Sequence, residues 1–248
     1  MSCDGTRKSC WDIILGSGFD NYERSQSSIT LYSLIKLTER VSCIELNIRI
    51  EQAYLEQTNY IPNLLQNMQV QKIYQQAIVF ATERHAQKNQ KIPGTDLPYV
   101  VHLSNVAMEL FVASSANDQL NLEFAVQVAL LHDLIEDTDT TCEEIEARFG
   151  VEIMRAVKAL TKNKALPKDQ QLPDSIARIK KLKPEVWAVK LADRITNLLP
   201  PPSHWDNEKR IQYQREARMI LNELKQGNDY LANRLKLEIE KYGNYINK

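Results

Sequence analysis

The chain has 248 residues, of which 43% are hydrophobic and 25% charged, a balance that suits one or two globular domains with a core able to bury a polar site. Its formal net charge is −1, so no general basic field would recruit nucleic acid. The amino terminus lacks the apolar core of a secretion signal, and no stretch reaches the roughly 18 apolar residues of a membrane span. Four cysteines without a Cys-x-x-Cys pair are typical of a reduced compartment. We therefore expect a cytoplasmic protein without nucleic-acid or membrane partners.

Residues 1–67 differ in pattern from the rest of the chain. The segment Ile44–Ile50 alternates apolar and polar residues, which indicates a strand, yet no partner strand is evident. Met68 opens the first segment with clear helical periodicity. We therefore divide the chain into an extension of unknown structure, residues 1–67, and a domain, residues 68–248. The extension could be an interaction arm, a poorly ordered segment, or sequence upstream of a natural start at Met68.

From Met68 onward, apolar residues recur at intervals of three and four, which predicts an all-α fold. A Thr-x-x-Glu capping box within 140–144 and a stop at Gly150 bound one short helix. The other predicted helices cover 70–88, 101–113, 121–136, 151–161, 175–182, 185–198, 207–226 and 229–243. The expected architecture is a bundle of about eight helices.

Several polar residues lie on helix stripes that should face the core. The four that could bind a metal ion are His102, His132, Asp133 and Asp193. Each alone has an ordinary explanation, such as a hydrogen-bonded core histidine or a capping aspartate. Together they favour a ligand set, because Glu136 and Asp137 follow in the same helical turn and the clustered acids repel one another unless a cation is present. We therefore predict one divalent metal ion in a helical pocket.

The ligand types limit the metal and its chemistry. Two imidazoles and two carboxylates suit Mn²⁺, Fe²⁺, Co²⁺ or Zn²⁺, and the absence of thiolate weakens a structural zinc interpretation. Four protein ligands leave positions open for water and substrate. A metal bound in this way favours phosphoester hydrolysis, because it lowers the pKa of bound water and neutralises a phosphoryl oxygen. Lys190 and Asn197, which flank Asp193 in the chain, are candidates for handling the substrate.

The order of these residues resembles the HD superfamily of metal-dependent phosphohydrolases. The finer similarity is to the hydrolase domain of RelA/SpoT-type enzymes and their small stand-alone relatives. The matching stretches are Pro98–His102, Ala129–Thr138 and Val189–Asn197, with a Phe149-Gly150 turn, and together they span about residues 70–240. The string His-Asp-x-x-Glu-Asp-Thr is much more specific than His-Asp alone.

The resemblance implies both an activity and residue roles. The implied reaction removes the 3′-pyrophosphate from ppGpp or pppGpp, giving GDP or GTP and pyrophosphate. Mn²⁺ would be the bound ion, held by the four predicted ligands. Glu136 and Asp137 would position or activate the attacking water and manage protons, and Asn197 would contact the ribose of the nucleotide. The implied partner is thus a small nucleotide; the sequence is compatible with an oligomer but does not indicate one.

The loop before Pro98 departs from the family pattern. Relatives usually carry an Arg-Lys pair, with the arginine packed on guanine and the lysine near phosphate, whereas this chain has Gln90-Lys91. The loop is also longer by the insertion of Thr95–Leu97, and Leu103 replaces the usual proline. Glutamine supplies neither the cation nor the flat stacking surface of arginine.

Lys91 remains the candidate phosphate contact, and Gln90 the candidate neighbour of the base. Because of the substitution, two alternatives stay open: an HD phosphohydrolase acting on another nucleotide, and a non-catalytic nucleotide-sensing HD domain. His85 is expected beside the site rather than as a ligand. A basic loop containing Lys162 and Lys164 could meet a polyphosphate or simply be solvated.

Overall fold

The computed structural model of the protein describes residues 49, 66, 68–116 and 120–246. The chain divides between Pro62 and Asn63 into two units, and the second contains the helices described below. The strand predicted for Ile44–Ile50 lies outside the described residues, apart from Arg49, which is helical. The division of the chain into an extension, residues 1–67, and a domain, residues 68–248, stays a prediction.

The domain is built from helices, as the sequence predicted. In chain order they are α1 (68–87), α2 (Val100–Ala116), α3 (Leu122–Leu131), α4 (Leu134–Asp137), α5 (Cys142–Phe149), α6 (Val151–Leu160), α7 (Lys168–Ile179), α8 (Pro184–Asn197), α9 (Asn207–Leu224) and α10 (Asp229–Tyr242). Short 3₁₀ turns follow α9 and α10. Among the described residues, extended pairing is limited to an isolated antiparallel bridge between Lys91 and Pro98. None of the helices in this described part is long and apolar enough to cross a membrane.

Helix boundaries follow local chemistry. The side chain of Thr141 accepts a hydrogen bond from the Glu144 backbone N–H and so caps α5, which confirms the predicted capping box. Gly150 separates α5 from α6 with φ of +91°, a conformation that side chains with a Cβ rarely adopt. Pro184 stands in the first turn of α8, where a missing N–H leaves no bond unmade.

The central element is α8. It packs against α2, α3, α9 and α10, and its residues from Val186 to Ile195 are buried except the half-buried Trp187. A helix surrounded in this way must satisfy its polar side chains inside the protein. Lys190, Asp193 and Arg194 are therefore held within the core rather than in solvent.

The predicted helix 121–136 is wrong in one respect, because the structure interrupts it at His132 and Asp133. The helix α3 ends at Leu131 and α4 begins at Leu134. Asp133 has φ of −99° and ψ of 0°, a sparsely populated conformation in which many active-site residues are found. The Asp137 N–H still donates to the Asp133 carbonyl at 2.9 Å, so the chain direction is preserved while the two metal-ligand candidates lie in the break.

The start of α7 also differs from the prediction. The helix was expected to follow Pro173, but it begins at Lys168 and contains this proline. Proline removes only one backbone donor from a helix, and contacts with the end of α6 hold α7 in place. The Ser175 hydroxyl donates to the Ala159 carbonyl at 2.9 Å, and Arg178 donates to the carbonyls of Ala159 and Thr161.

Candidate active site

Three residues far apart in the chain form the centre of the site. His102 comes from α2, His132 from the break between α3 and α4, and Asp193 from α8; one ligand atom of each lies within 4.8 Å of the others. Asp193 Oδ1 is 3.4 Å from His102 Nε2 and 3.6 Å from His132 Nε2. Both of these nitrogens are buried without a hydrogen-bond partner. Buried polar atoms are rarely left unpaired, so their convergence indicates a position for a cation.

Both imidazoles are oriented through their other nitrogen. His132 Nδ1 donates to the Ala129 carbonyl at 2.7 Å. The Thr196 hydroxyl donates to the Asp193 carbonyl at 2.9 Å, so it accepts from His102 Nδ1, which lies 3.4 Å away. With Nδ1 carrying the proton, each ring presents the lone pair of Nε2 to the centre of the site, as metal-binding histidines do.

Asp133 joins the cluster from the side. Its Oδ2 lies 3.0 Å from His132 Nε2 and 3.9 Å from His102 Nε2. The Tyr99 hydroxyl donates a short hydrogen bond to the same oxygen. The structure therefore brings the four predicted ligand residues together. It adds Tyr99, whose position directly after Pro98 was visible in the sequence but whose contact was not.

Two further residues orient Asp193. Lys190 Nζ donates to Oδ2 at 2.9 Å, and Asn197 Nδ2 donates to Oδ1 at 2.6 Å. Both were predicted to handle the substrate. Lys190 is only 8% exposed, so its contact favours a role in holding the carboxylate, whereas Asn197 is exposed and can also reach a ligand.

Glu136 is tied to the loop that follows α6. Its Oε1 accepts from Lys162 Nζ at 2.9 Å and its Oε2 from the Lys162 backbone N–H at 3.0 Å. Lys164 Nζ donates to the Glu136 carbonyl at 2.7 Å. Burial alone would lower the pKa of Lys162, but Glu136 and the two aspartates of the cluster outweigh it and raise the pKa. The basic loop thus lies against the site and carries a stable positive charge.

Asp137 is held from the other side of the site. Its Oδ2 accepts from Gln90 Nε2 at 2.8 Å, and Gln90 Oε1 lies 2.6 Å from His85 Nδ1. Burial and the nearby Asp133 raise the pKa of Asp137 above its ordinary value. Lys91, the next residue in the loop, is exposed and pairs with Asp96 at 2.7 Å.

Comparison with known proteins identifies the family. A model of the HD domain matches residues 77–229, which include every residue of the cluster. This chain belongs to the HD domain family. Membership implies a divalent metal ion, and the buried, unpartnered imidazole nitrogens beside the Asp193 carboxylate fit one.

Two relatives of this HD domain protein carry the same description. This chain is 34% identical over 173 residues to the mouse guanosine-3′,5′-bis(diphosphate) 3′-pyrophosphohydrolase MESH1. The alignment covers 68% of this chain and 93% of the mouse protein. The Aquifex aeolicus enzyme of the same description is 35% identical over 130 residues, which are 50% of this chain but 17% of that protein.

A solved structure also resembles the HD domain. It is described as a metazoan orthologue of SpoT that hydrolyses ppGpp and plays a role in starvation responses. The sequence identity is 29%, the alignment covers 69% of this chain and 96% of that one, and the TM-score is 0.59.

The electrostatics of the HD domain centre follow from its burial and its charges. Burial opposes ionisation of Asp193, but Lys190 and the two histidines outweigh it and hold the pKa of Asp193 well below its usual range. Burial would likewise lower the pKa of His132, yet Asp133 and Asp193 raise it well above the ordinary value. The cluster therefore carries negative charge that a proton or a metal ion must balance.

Proposed function

We propose that this chain hydrolyses the 3′-pyrophosphate of ppGpp or pppGpp, giving GDP or GTP and pyrophosphate. The observation that carries the proposal is the convergence of His102, His132 and Asp193 on one position. It occurs in a chain that aligns with 93% of a curated enzyme described by this activity. The similarity thus extends over nearly the whole of that relative.

We assign the metal site to His102, His132, Asp133 and Asp193, and the ion to Mn²⁺, which accepts mixed nitrogen and oxygen ligands. Such an ion, when bound, supplies a water ligand of lowered pKa and neutralises charge on a phosphoryl oxygen. Thr196 and the Ala129 carbonyl fix the histidine rings. Lys190 and Asn197 fix the Asp193 carboxylate, so little reorganisation is needed when substrate binds.

The two acids beside the cluster handle the water and its protons. In the reaction, the water oxygen bonds to the phosphorus attached to O3′, the P–O3′ bond breaks, and O3′ takes the electron pair and a proton. Asp137 suits proton transfer because its pKa is raised, which brings a carboxyl group nearer to the working pH of a general acid or base. Glu136, held by Lys162, would position the attacking water.

Substrate contacts are assigned by reach and charge. Lys91 is exposed in the loop after α1 and is assigned to the phosphates of the nucleotide. Asn197, at the exposed end of α8, is assigned to the ribose. Lys162 lies close enough to Asp133 and Asp193 for their charges to raise its pKa. We add it as a second cation for the pyrophosphate.

An HD phosphohydrolase acting on another nucleotide is the second candidate. The observation that favours it is the position of Gln90, whose amide is engaged by His85 and Asp137 and offers no cation to a guanine ring. A non-catalytic nucleotide-sensing domain has less support, because it has no need for Glu136 and Asp137 next to the metal ligands.

A substrate panel tests the proposal. Purified protein is incubated with ppGpp, pppGpp, deoxynucleoside triphosphates and cyclic nucleotides, with and without Mn²⁺, and the products are identified. We expect pyrophosphate and GDP from ppGpp only when Mn²⁺ is present. Product release from another nucleotide, with none from ppGpp, would select the second candidate.

Asp193→Ala tests the metal site in the same assay. We expect loss of Mn²⁺ binding and of hydrolysis, because Oδ1 faces both unpartnered imidazole nitrogens. The Tm should fall, because buried Lys190 loses its partner, while helical content by circular dichroism is largely kept below that Tm. The control is Asp169→Ala, which removes an exposed carboxylate from the first turn of α7. Mn²⁺ affinity retained in Asp193→Ala contradicts the ligand assignment.

A further inference from the structure

The side chain of Gln90 links two groups at the edge of the active site. Its Nε2 donates to Asp137 Oδ2 at 2.8 Å, and its Oε1 lies 2.6 Å from His85 Nδ1. A carboxylate only accepts hydrogen bonds, so the amide nitrogen must face Asp137 and the amide oxygen must face His85. His85 Nδ1 therefore donates, and the direction of both hydrogen bonds is determined.

The backbone holds Gln90 in place for these contacts. The helix α1 ends just before Asn89, which has a left-handed φ of +48°, and the Gln90 N–H donates back to the His85 carbonyl at 3.1 Å. This is the usual way for a helix end to be closed. The Gln90 carbonyl accepts from the Tyr99 N–H at 3.1 Å, so both sides of the loop are joined at this residue.

The partner on the far side of the amide is buried and packed. His85 is 2% exposed, and its ring packs against the ring of Tyr99 with centroids 4.8 Å apart. The Tyr99 hydroxyl in turn donates to Asp133. Contacts thus run from Asp137 through Gln90, His85 and Tyr99 to a carboxylate of the metal cluster.

The glutamine amide offers one acceptor and one donor to its two neighbours. Arginine, the residue usual here in the enzymes that the sequence resembles, has donors only, so His85 would have to move its proton from Nδ1 to Nε2 to accept from it. Glutamate could accept from His85 but would place its charge against Asp137. Glutamine is therefore matched to this pair of partners.

We propose that Gln90 is a positioning residue, which holds the Asp137 carboxylate in its orientation beside the metal cluster instead of contacting the nucleotide base. Its effect on turnover rests on the proposed function. Its contacts do not, so they are tested separately from activity.

The first experiment measures coupling between Gln90 and Asp137 by thermal unfolding of the full chain in the presence of EDTA. Gln90→Glu places two carboxylates against each other and should lower the Tm by about 2–4 °C. Adding Asp137→Asn restores a donor between the two positions, and the double variant should recover most of that loss. The control is Gln87→Glu, an exposed position on α1, whose Tm should respond to Asp137→Asn only as the wild type does. Equal effects of Asp137→Asn in the Gln90→Glu and Gln87→Glu backgrounds would overturn the proposal.

The second experiment separates positioning from base recognition. Gln90→Ala should lower kcat for ppGpp about tenfold or more, with KM within about twofold, and with Mn²⁺ affinity and the preference among bases unchanged. Gln87→Ala should leave all four quantities unaltered. A rise in KM together with a changed base preference and a normal kcat would overturn the proposal, as would a Gln90→Ala protein indistinguishable from wild type. If the wild type does not hydrolyse ppGpp at all, the proposed function fails, while the thermal coupling still decides the role of Gln90.

Discussion

At His132 a proton and a metal ion compete for the same nitrogen. Nδ1 is occupied by the Ala129 carbonyl, so Nε2 is the available ligand atom, and it faces Asp133 at 3.0 Å and Asp193 at 3.6 Å. Burial disfavours the charged ring, but these two carboxylates prevail and raise the pKa of His132. An ion can bind only after this proton has left.

Mn²⁺ affinity should therefore depend on pH with a definite sign. Below the raised pKa of His132 the proton occupies Nε2, so the affinity should increase as pH rises through the range below that pKa and level off above it. Calorimetric titration in buffers of different ionisation enthalpy measures both the affinity and the protons released for each ion bound. An affinity that is constant over this range, with no proton released, would contradict the assignment of His132 as a ligand.

Glu136 gives a second prediction at the scale of one residue. In the wild type, Lys162 Nζ donates to the Glu136 carboxylate at 2.9 Å. Glu136→Gln keeps the side-chain shape and a carbonyl oxygen for this contact, but it removes the negative charge that would align the water. Turnover of ppGpp should fall by about 10²-fold or more, while Mn²⁺ affinity is kept. Glu146→Gln, an exposed position on α5, is the matched control. Turnover close to wild type in Glu136→Gln would exclude the assigned role.

The convergence of the candidate ligands was predictable from sequence, but the contacts that support them were not. His102, His132 and Asp193 could be recognised because inward polar residues on apolar stripes are costly without a partner. The contacts of Thr196 with His102 and of Tyr99 with Asp133 depend on how three helices are placed in space, which periodicity does not encode. For the same reason Lys190 was expected at the substrate, whereas it pairs with Asp193 inside the core.

At the scale of elements, the packing of α8 against the turn after α9 depends on one glycine. Gly227 lies in the 3₁₀ turn after α9, and a Cβ there would come within 2.5 Å of Trp187 Cβ and 3.1 Å of the Pro184 carbonyl. These atoms belong to the first turn of α8, so the turn and the helix approach backbone to backbone. No side chain can be added without separating them.

Gly227→Ala should therefore destabilise the domain. We expect the free energy of unfolding to fall by about 1–3 kcal/mol, measured by urea unfolding followed by circular dichroism. In the control, Gly243→Ala, the new Cβ would lie 3.3 Å from Gln214 Nε2, a less severe approach, and the loss should be smaller. Equal stability of Gly227→Ala and wild type would show that the close approach is not required.

The helices themselves were largely predictable from apolar spacing. The predicted range 185–198 differs from α8 by one residue at each end, and 229–243 differs from α10 by one residue at its end, because their apolar stripes are long and bounded by proline or glycine. The break between α3 and α4 was missed because the apolar spacing continues through it. Leu134 is buried in the structure and would also face the core in an unbroken helix. The early start of α7 was missed because contacts with α6 offset the proline.

At the scale of the whole molecule, the proposed ligand residues all lie in the unit that begins at Asn63. A chain of residues 63–248 should therefore bind Mn²⁺ with the affinity of the full protein. Mn²⁺ should raise the free energy of unfolding of both chains by the same amount, about 2.7 kcal/mol at a free Mn²⁺ concentration 100 times the Kd. Differential scanning fluorimetry with increasing Mn²⁺ measures this gain. Loss of the gain in the shortened chain alone would assign residues 1–62 a part in the site. Cytoplasmic location stays a prediction from composition.

Because α8 carries both the packing of the domain centre and Asp193, a change that removes catalysis here also lowers stability. Replacing this aspartate leaves the buried ammonium group of Lys190 without its carboxylate partner, and an uncompensated buried charge costs about 3–5 kcal/mol. A descendant protein that lost its catalytic activity through Asp193 would thus need a second, compensating change at Lys190 to recover its stability. A homologue that lacks both residues together would be the sign of such a paired change.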